Sequence, residues 1–194
     1  MAVVFLYSSC TAPPEDFDLD RYRDESVTTN EVTQETKEVE VNGLYAMDIP
    51  TGLNSTTTLN DDASLQYNNL YKEKYIIVID ENKKEFVDVF VDIGGYDESV
   101  SVVDNYANLQ LGFLDESVTL SAESPLKSMK INGMDARVKA IDGSILGVAE
   151  EISYWLGYVE GENTMYTIMT WTLKSKKSSF EKEANAMIQS LREL

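Results

Sequence analysis

Between Pro125 and Leu194 the spacing of apolar residues changes from every second residue to about every 3.6, and this switch constrains the fold more than any other feature. Asn132-Gly133 and Asp142-Gly143 are dipeptides that accept the positive φ of a tight turn, and with apolar residues on either side both read as turns. Between them Met134, Ala136, Val138 and Ala140 alternate with Asp135, Arg137 and Lys139, the pattern of a strand with one buried face. In the next segment Ile152, Tyr154, Leu156 and Tyr158 form one face while Trp155 and Val159 sit on the other. Beyond Gly161-Glu162-Asn163, Tyr166 and Ile168 oppose Met165, Met169, Trp171 and Leu173. Large apolar groups on both faces predict a sheet covered on both sides. Ser178 and Glu181 have the spacing of a capping box, and Phe180, Ala184, Met187, Ile188 and Leu191 then share one helical face. The expected class is α+β: an antiparallel sheet with helices packed on both faces.

The middle of the chain supplies the other elements. Val39 and Val41 precede Asn42-Gly43, and the apolar run from Leu44 ends at Pro50, as in a hairpin or a kinked strand. Residues 51–63 read as loop. Leu65 to Tyr71 and Tyr75 to Ile79 read as an antiparallel pair across Lys72-Glu73-Lys74. Asn82 is placed to cap a helix carrying Phe86, Val89, Phe90 and Ile93, stopped by Gly94-Gly95. Asp97 is placed to cap a second, with Val100, Val103, Ala107, Leu111 and Leu114 on one stripe and Val102, Tyr106, Leu109 and Phe113 on another. A helix apolar on two sides is packed on two sides or leaves one open for a partner; packing is the expectation. Gly94-Gly95 has no phosphate-loop context, since no strand enters it and no Gly-Lys-Ser or Gly-Lys-Thr follows.

Composition removes several chemistries. The chain of 194 residues has no histidine, so Ser-His, Cys-His and His-metal sites are excluded. Its single cysteine forms no intramolecular disulfide. A net charge of -18 argues against nucleic acid, whose phosphates need clustered Lys and Arg. Acidic neighbours such as Asp61-Asp62 and Glu150-Glu151 are too common among 34 carboxylates to mark a catalytic pair. No catalytic residue, metal or cofactor is expected.

The first ten residues carry a different signal. Ala2 to Tyr7 are apolar and lead into Ser8-Ser9-Cys10, which looks like the end of a bacterial lipoprotein signal peptide with Cys10 as the lipidated residue. Only nine residues precede Cys10 and none is charged, so a full signal would need a start upstream of Met1. The alternative is a first buried strand with an inert cysteine. Residues 11–37 hold Pro13-Pro14 and eight acidic against three basic residues, a net charge of -5, and read as a flexible acidic tether. Within it Asp16, Asp18 and Asp20 are spaced like the opening of a calcium loop, but Arg21 and Val27 stand where that loop needs glycine and glutamate. One domain is expected from 38 to 194.

A first strand ending in Ile49-Pro50, the central helices, Met129-Lys130-Ile131-Asn132-Gly133-Met134-Asp135-Ala136, the aromatic strand pair and the segment from Phe180-Glu181 to Ser190-Leu191 together resemble a PsbP-like domain. That fold, shared with the Mog-type nuclear import factor, is an α/β/α sandwich about an antiparallel sheet. The resemblance implies binding and adaptor roles rather than catalysis, and it transfers no site residue. The expected function is therefore a non-enzymatic, lipid-anchored protein of the bacterial cell envelope, at the outer membrane or periplasmic face, that binds a protein partner. The alternatives are a soluble cytoplasmic chaperone or adaptor for a secreted protein and, third, a carboxylate-based enzyme. Tyr154, Trp155, Tyr158, Tyr166 and Trp171 either mark a binding face or fill the core, and core is the expectation. A buried Trp171 would make Trp171→Ala cost about 3–5 kcal/mol.

Overall fold

Asn42 and Gly43, at φ 52° and 67°, turn the chain between β1 (Thr36–Val41) and β2 (Tyr45–Pro50), and the Leu44 N–H closes the turn on the Val41 carbonyl at 2.9 Å. The computed structural model describes residues 35–194. The strand β1 thus takes in Thr36 and Lys37, two residues that composition alone assigns to the tether. At the other end of the chain β11 (Arg192–Glu193) pairs with β2, completing a small three-stranded sheet. A hydrogen bond from the Asp48 N–H to Ser190 Oγ at 3.0 Å holds the two ends together.

The main sheet is antiparallel throughout, in the order β3 (Asn54–Ser55), β4 (Leu65–Asn69), β5 (Lys74–Asn82), β10 (Thr164–Leu173), β9 (Ile152–Glu160), β8 (Met134–Ser144) and β6 (Thr119–Glu123). The first part of β8 pairs with β7 (Lys127–Ile131) through the Asn132-Gly133 turn, where both residues take positive φ as expected. Asp142-Gly143 is not a turn. Both residues lie in β8, opposite Ser153 and Ile152. Gly143 serves close approach instead: a Cβ there would overlap Val118 and stand 2.9 Å from the Thr119 carbonyl oxygen, where β6 begins. The chain turns later, at Ile145–Val148, with Gly147 at φ 87°.

Both faces of the sheet are covered, as the two-sided apolar pattern predicts. On one face Trp155, Val159, Tyr166, Ile168, Ile76 and Val78 pack against Tyr45, Met47 and Ile49 of β2 and against Phe180, Ala184, Met187 and Ile188 of α3 (Lys177–Ser190). On the other, Tyr154, Leu156, Tyr158 and Met165 pack under Val103, Tyr106 and Ala107 of α2 (Val102–Ser117). The chain is α+β, an antiparallel sheet with helices on both sides.

Two helix starts differ from the sequence expectation. The α2 cap is Ser101, whose Oγ accepts from the Asp104 N–H at 3.2 Å; Asp97 instead closes a turn by accepting from the Ser99 N–H at 2.8 Å. Asn105, 3% exposed, clamps that turn to α2 by bonding the Asp97 N–H and carbonyl at 2.8 and 2.9 Å. Helix α3 begins after a 3-10 turn, Lys174–Lys176, and Ser178 lies inside its first turn with no capping role. The open N–H of Ser175 is met at 2.8 Å by the carboxylate of Glu150, so a residue distant in sequence satisfies a donor that a local cap would otherwise take.

Candidate binding face

Asn82 Oδ1 accepts from the Glu85 N–H at 3.0 Å, the cap its sequence predicts, and starts α1 (Lys83–Asp92). Gly94, at φ 72°, ends it, and the N–H groups of Gly95 and Tyr96 return to the Phe90 carbonyl at 3.0 and 3.2 Å. This helix sits on the molecule without fully burying any of its residues. Its hold is aromatic. Tyr158, Tyr106, Phe86, Phe90 and Tyr96 form a chain of ring contacts with successive centroid distances of 6.3, 5.1, 5.5 and 6.3 Å, running outward from the buried Tyr158. Contacts of this kind add about 0.5–1.5 kcal/mol each beyond the area they bury.

With Phe86 packed on the core and Phe90 stacked between it and Tyr96, the flanks of α1 face water. Val89 is 60% and Ile93 70% exposed; four residues apart, they share one flank. Val91 at 51%, Val100 and, on α2, Phe113 at 57% extend the exposed apolar set. Among the described residues, five of the twelve exposed large apolar side chains belong to this stretch and none to α3, so the excess is local to one side of the sandwich. The second stripe of α2 is thereby split: Tyr106 is buried, while Phe113 is open.

Polar groups beneath this face are satisfied. The Tyr106 hydroxyl donates to Glu81 and accepts from Thr167 Oγ1 at 3.0 Å, and Gln110 Nε2 donates to the same Glu81 oxygen at 3.0 Å. Burial, then the Glu81 carboxylate, push the Tyr106 hydroxyl pKa up, so it stays protonated. Arg137 binds Asp104 through two nitrogens at 2.5 and 2.8 Å and holds that carboxyl down at about 2, tying α2 to β8.

The aromatic residues singled out in the sequence are core. Tyr154, Trp155, Tyr158 and Tyr166 are 0–4% exposed. Trp171 is half-buried, stacked on Tyr75 at 5.2 Å and 7°. Because part of its ring already meets water, Trp171→Ala is expected to cost about 2–3 kcal/mol rather than the full-burial figure, as a fall in the urea midpoint would show. The paired carboxylates do not converge on chemistry. Asp61 and Asp62 lie in the exposed loop before β4. Glu151 is bound by Lys174 and by Ser121 at 3.0 Å, Glu150 by Ser175, and these bonds lower both pKa values, opposite to the raised value a general acid needs. Cys10 and the Asp16, Asp18, Asp20 set lie outside the described residues.

Among the described residues no group of three metal-ligating side chains comes together, and no helix is long and apolar enough to cross a membrane. A groove of about 670 Å³ runs beside the start of α1, between Asn82, Lys84, Val87 and Asp88 and the β9–β10 turn at Glu162 and Asn163. Smaller hollows of about 220–270 Å³ lie between α3 and β8 and along the small sheet.

No protein-family model matches the sequence, and no curated protein matches it. Solved structures do. The solution structure of cyanobacterial PsbP (CyanoP) from Synechocystis superposes with a TM-score of 0.54 at 7% identity, over 83% of this chain and 94% of that one. A protein from Bacteroides thetaiotaomicron matches at 0.50 and 14%, covering 83% of this chain and 49% of the other, so this chain spans about half its length. The Ran-binding protein Mog1p of Saccharomyces cerevisiae follows at 0.47 and 12%, over 82% and 96%. At such identities the likeness is one of fold. With its antiparallel sheet enclosed by α3 on one side and α1 and α2 on the other, the chain has the fold of a PsbP-like domain.

Proposed function

We propose that this chain is a non-enzymatic protein of the bacterial cell envelope whose sandwich domain binds a protein partner, held at the outer membrane or periplasmic face by a lipid on Cys10. The observation that carries the binding role is α1, a helix seated by two rings that leaves Val89, Val91 and Ile93 to solvent. Isolated exposed apolar residues are ordinary, but a run of them along one helix favours a surface built to be covered. The absence of histidine, and the engagement of Glu150, Glu151 and Asp142 by Ser175, Lys174 and Lys177, support a role without catalysis. Support for the anchor is the order of parts: an apolar run, Ser8-Ser9-Cys10, then a polar acidic spacer before the domain.

Protein made from its full gene in a bacterial host, compared with Cys10→Ser, tests the anchor. Mass spectrometry is expected to show diacylglycerol on Cys10, and membrane fractionation to recover the wild type but not the variant. An unmodified Cys10 with the protein in the cytoplasm would leave the adaptor reading. Photo-cross-linking residues placed at exposed positions on both sides of the sandwich test the binding role; absence of a protein adduct from every position sinks it.

A further inference from the structure

The charge around the exposed helix says what kind of partner fits it. From residue 83 to 117 the chain has eight acidic residues against two basic ones, a net charge of -6. Both lysines are already engaged, Lys83 with Glu160 at 2.7 Å and Lys84 with Asp88. Of the acids, Asp104 is neutralised by Arg137, while Glu85, Asp92, Glu98, Asp115 and Glu116 are exposed. An apolar ridge set in a negative field disfavours three occupants. A second copy of this face brings like charge to like, an anionic lipid surface is repelled, and so is nucleic acid. A segment with apolar side chains bracketed by Lys or Arg gains on both counts.

Resting on the binding role proposed above, we propose that α1 is a docking surface for a basic amphipathic segment of another protein, whose apolar side chains cover Val89 and Ile93 while its cations meet Glu85 and Asp92. The seat leaves the two flanks different jobs. Phe86 and Phe90 hold the helix to Tyr106 and Tyr96, so Val89 and Ile93 are free to be buried by a partner without disturbing the fold.

The test places a photo-cross-linking residue at Ile93 in the full-length protein in its native cells, with a second at Glu181 on the α3 side as comparison. The expected result is an adduct from position 93 whose attached peptide, read by mass spectrometry, carries apolar residues flanked by Lys or Arg. That adduct should drop about tenfold in Val89→Ser and in the pair Glu85→Lys, Asp92→Lys, with the thermal midpoint of each purified variant unchanged, since all these side chains are exposed. It should also weaken as salt rises. Attachment to a second copy, to residues 1–34, to lipid or to an acidic segment overturns the proposal, as does an adduct indifferent to the variants. A partner captured from position 181 but not from 93 overturns this surface and leaves the binding role standing; no adduct from either overturns this surface, and silence at every other exposed position as well removes the binding role.

Discussion

Phe180→Ala is expected to remove about 3–5 kcal/mol of stability, a large share of the 5–15 kcal/mol typical of a domain. Phe180 is fully buried at the first turn of α3, where its ring meets Trp155 edge-on at 5.6 Å and lies 5.1 Å from the Lys74 ammonium. The same Lys74 pairs with Glu183 one turn along, so the ring lies where helix, sheet and ion pair meet. Truncation leaves a cavity that the strands, fixed by neighbours on both sides, cannot collapse to fill. With a urea slope of about 2 kcal/mol/M the midpoint should fall by about 2 M at unchanged slope. A loss below about 1 kcal/mol would show that α3 does not rest on this ring. Val89→Ala on α1 should change the midpoint hardly at all, because Val89 is already 60% exposed.

The second large effect is at Asp142, where Asp142→Ala is expected to cost about 2 kcal/mol near neutral pH. Its carboxylate, 5% exposed, accepts from Lys177 Nζ at 2.8 and 3.0 Å and from the buried Ser153 hydroxyl at 2.7 Å, with Lys174 at 3.9 Å. Removing it strands the Ser153 hydroxyl in the core; Lys177, partly exposed, recovers water. Burial raises the Asp142 pKa, but the Lys177 and Ser153 bonds outweigh it and hold the group below the ordinary carboxylate value. A depressed folded-state pKa contributes stability that is present above the unfolded pKa, about 3.9, and lost as pH falls through the folded value. The gap between wild type and Asp142→Ala should therefore be constant from pH 7 to about 5 and shrink on further acidification. Asp104, held near 2 by Arg137, adds its own loss between about 4 and 2. A gap that widened in acid would contradict the ion pair.

Local sequence carried much of this fold because alternation and turn chemistry are short-range properties. Trp155 and Tyr154 are adjacent and lie in different cores, as their opposite parity requires in a strand. Asn132-Gly133 and Asn42-Gly43 turn where their backbone freedom allows. Asp142-Gly143 has the same chemistry and does not turn, because β6 pairs alongside it, and the ladder bonds from Thr119–Ser144 to Glu123–Ile141 favour continued extension. The missed cap of α3 has a similar origin: Glu150 reaches Ser175 from another strand connection.

The exposed side of the sandwich was harder to see. Phe86, Val89, Phe90 and Ile93 are four apolar residues at helical spacing, and nothing in that spacing separates the two that seat the helix from the two left in water. The division depends on Tyr106 and Tyr96 supplying partner rings to Phe86 and Phe90 only. By itself the sequence determined the central strands, their two-sided burial and the face of α3, since these follow from the period of the apolar residues along the chain. Only the tertiary structure decided that α3 is sealed while α1 stays open, because burial of a helix face depends on what the rest of the chain places against it.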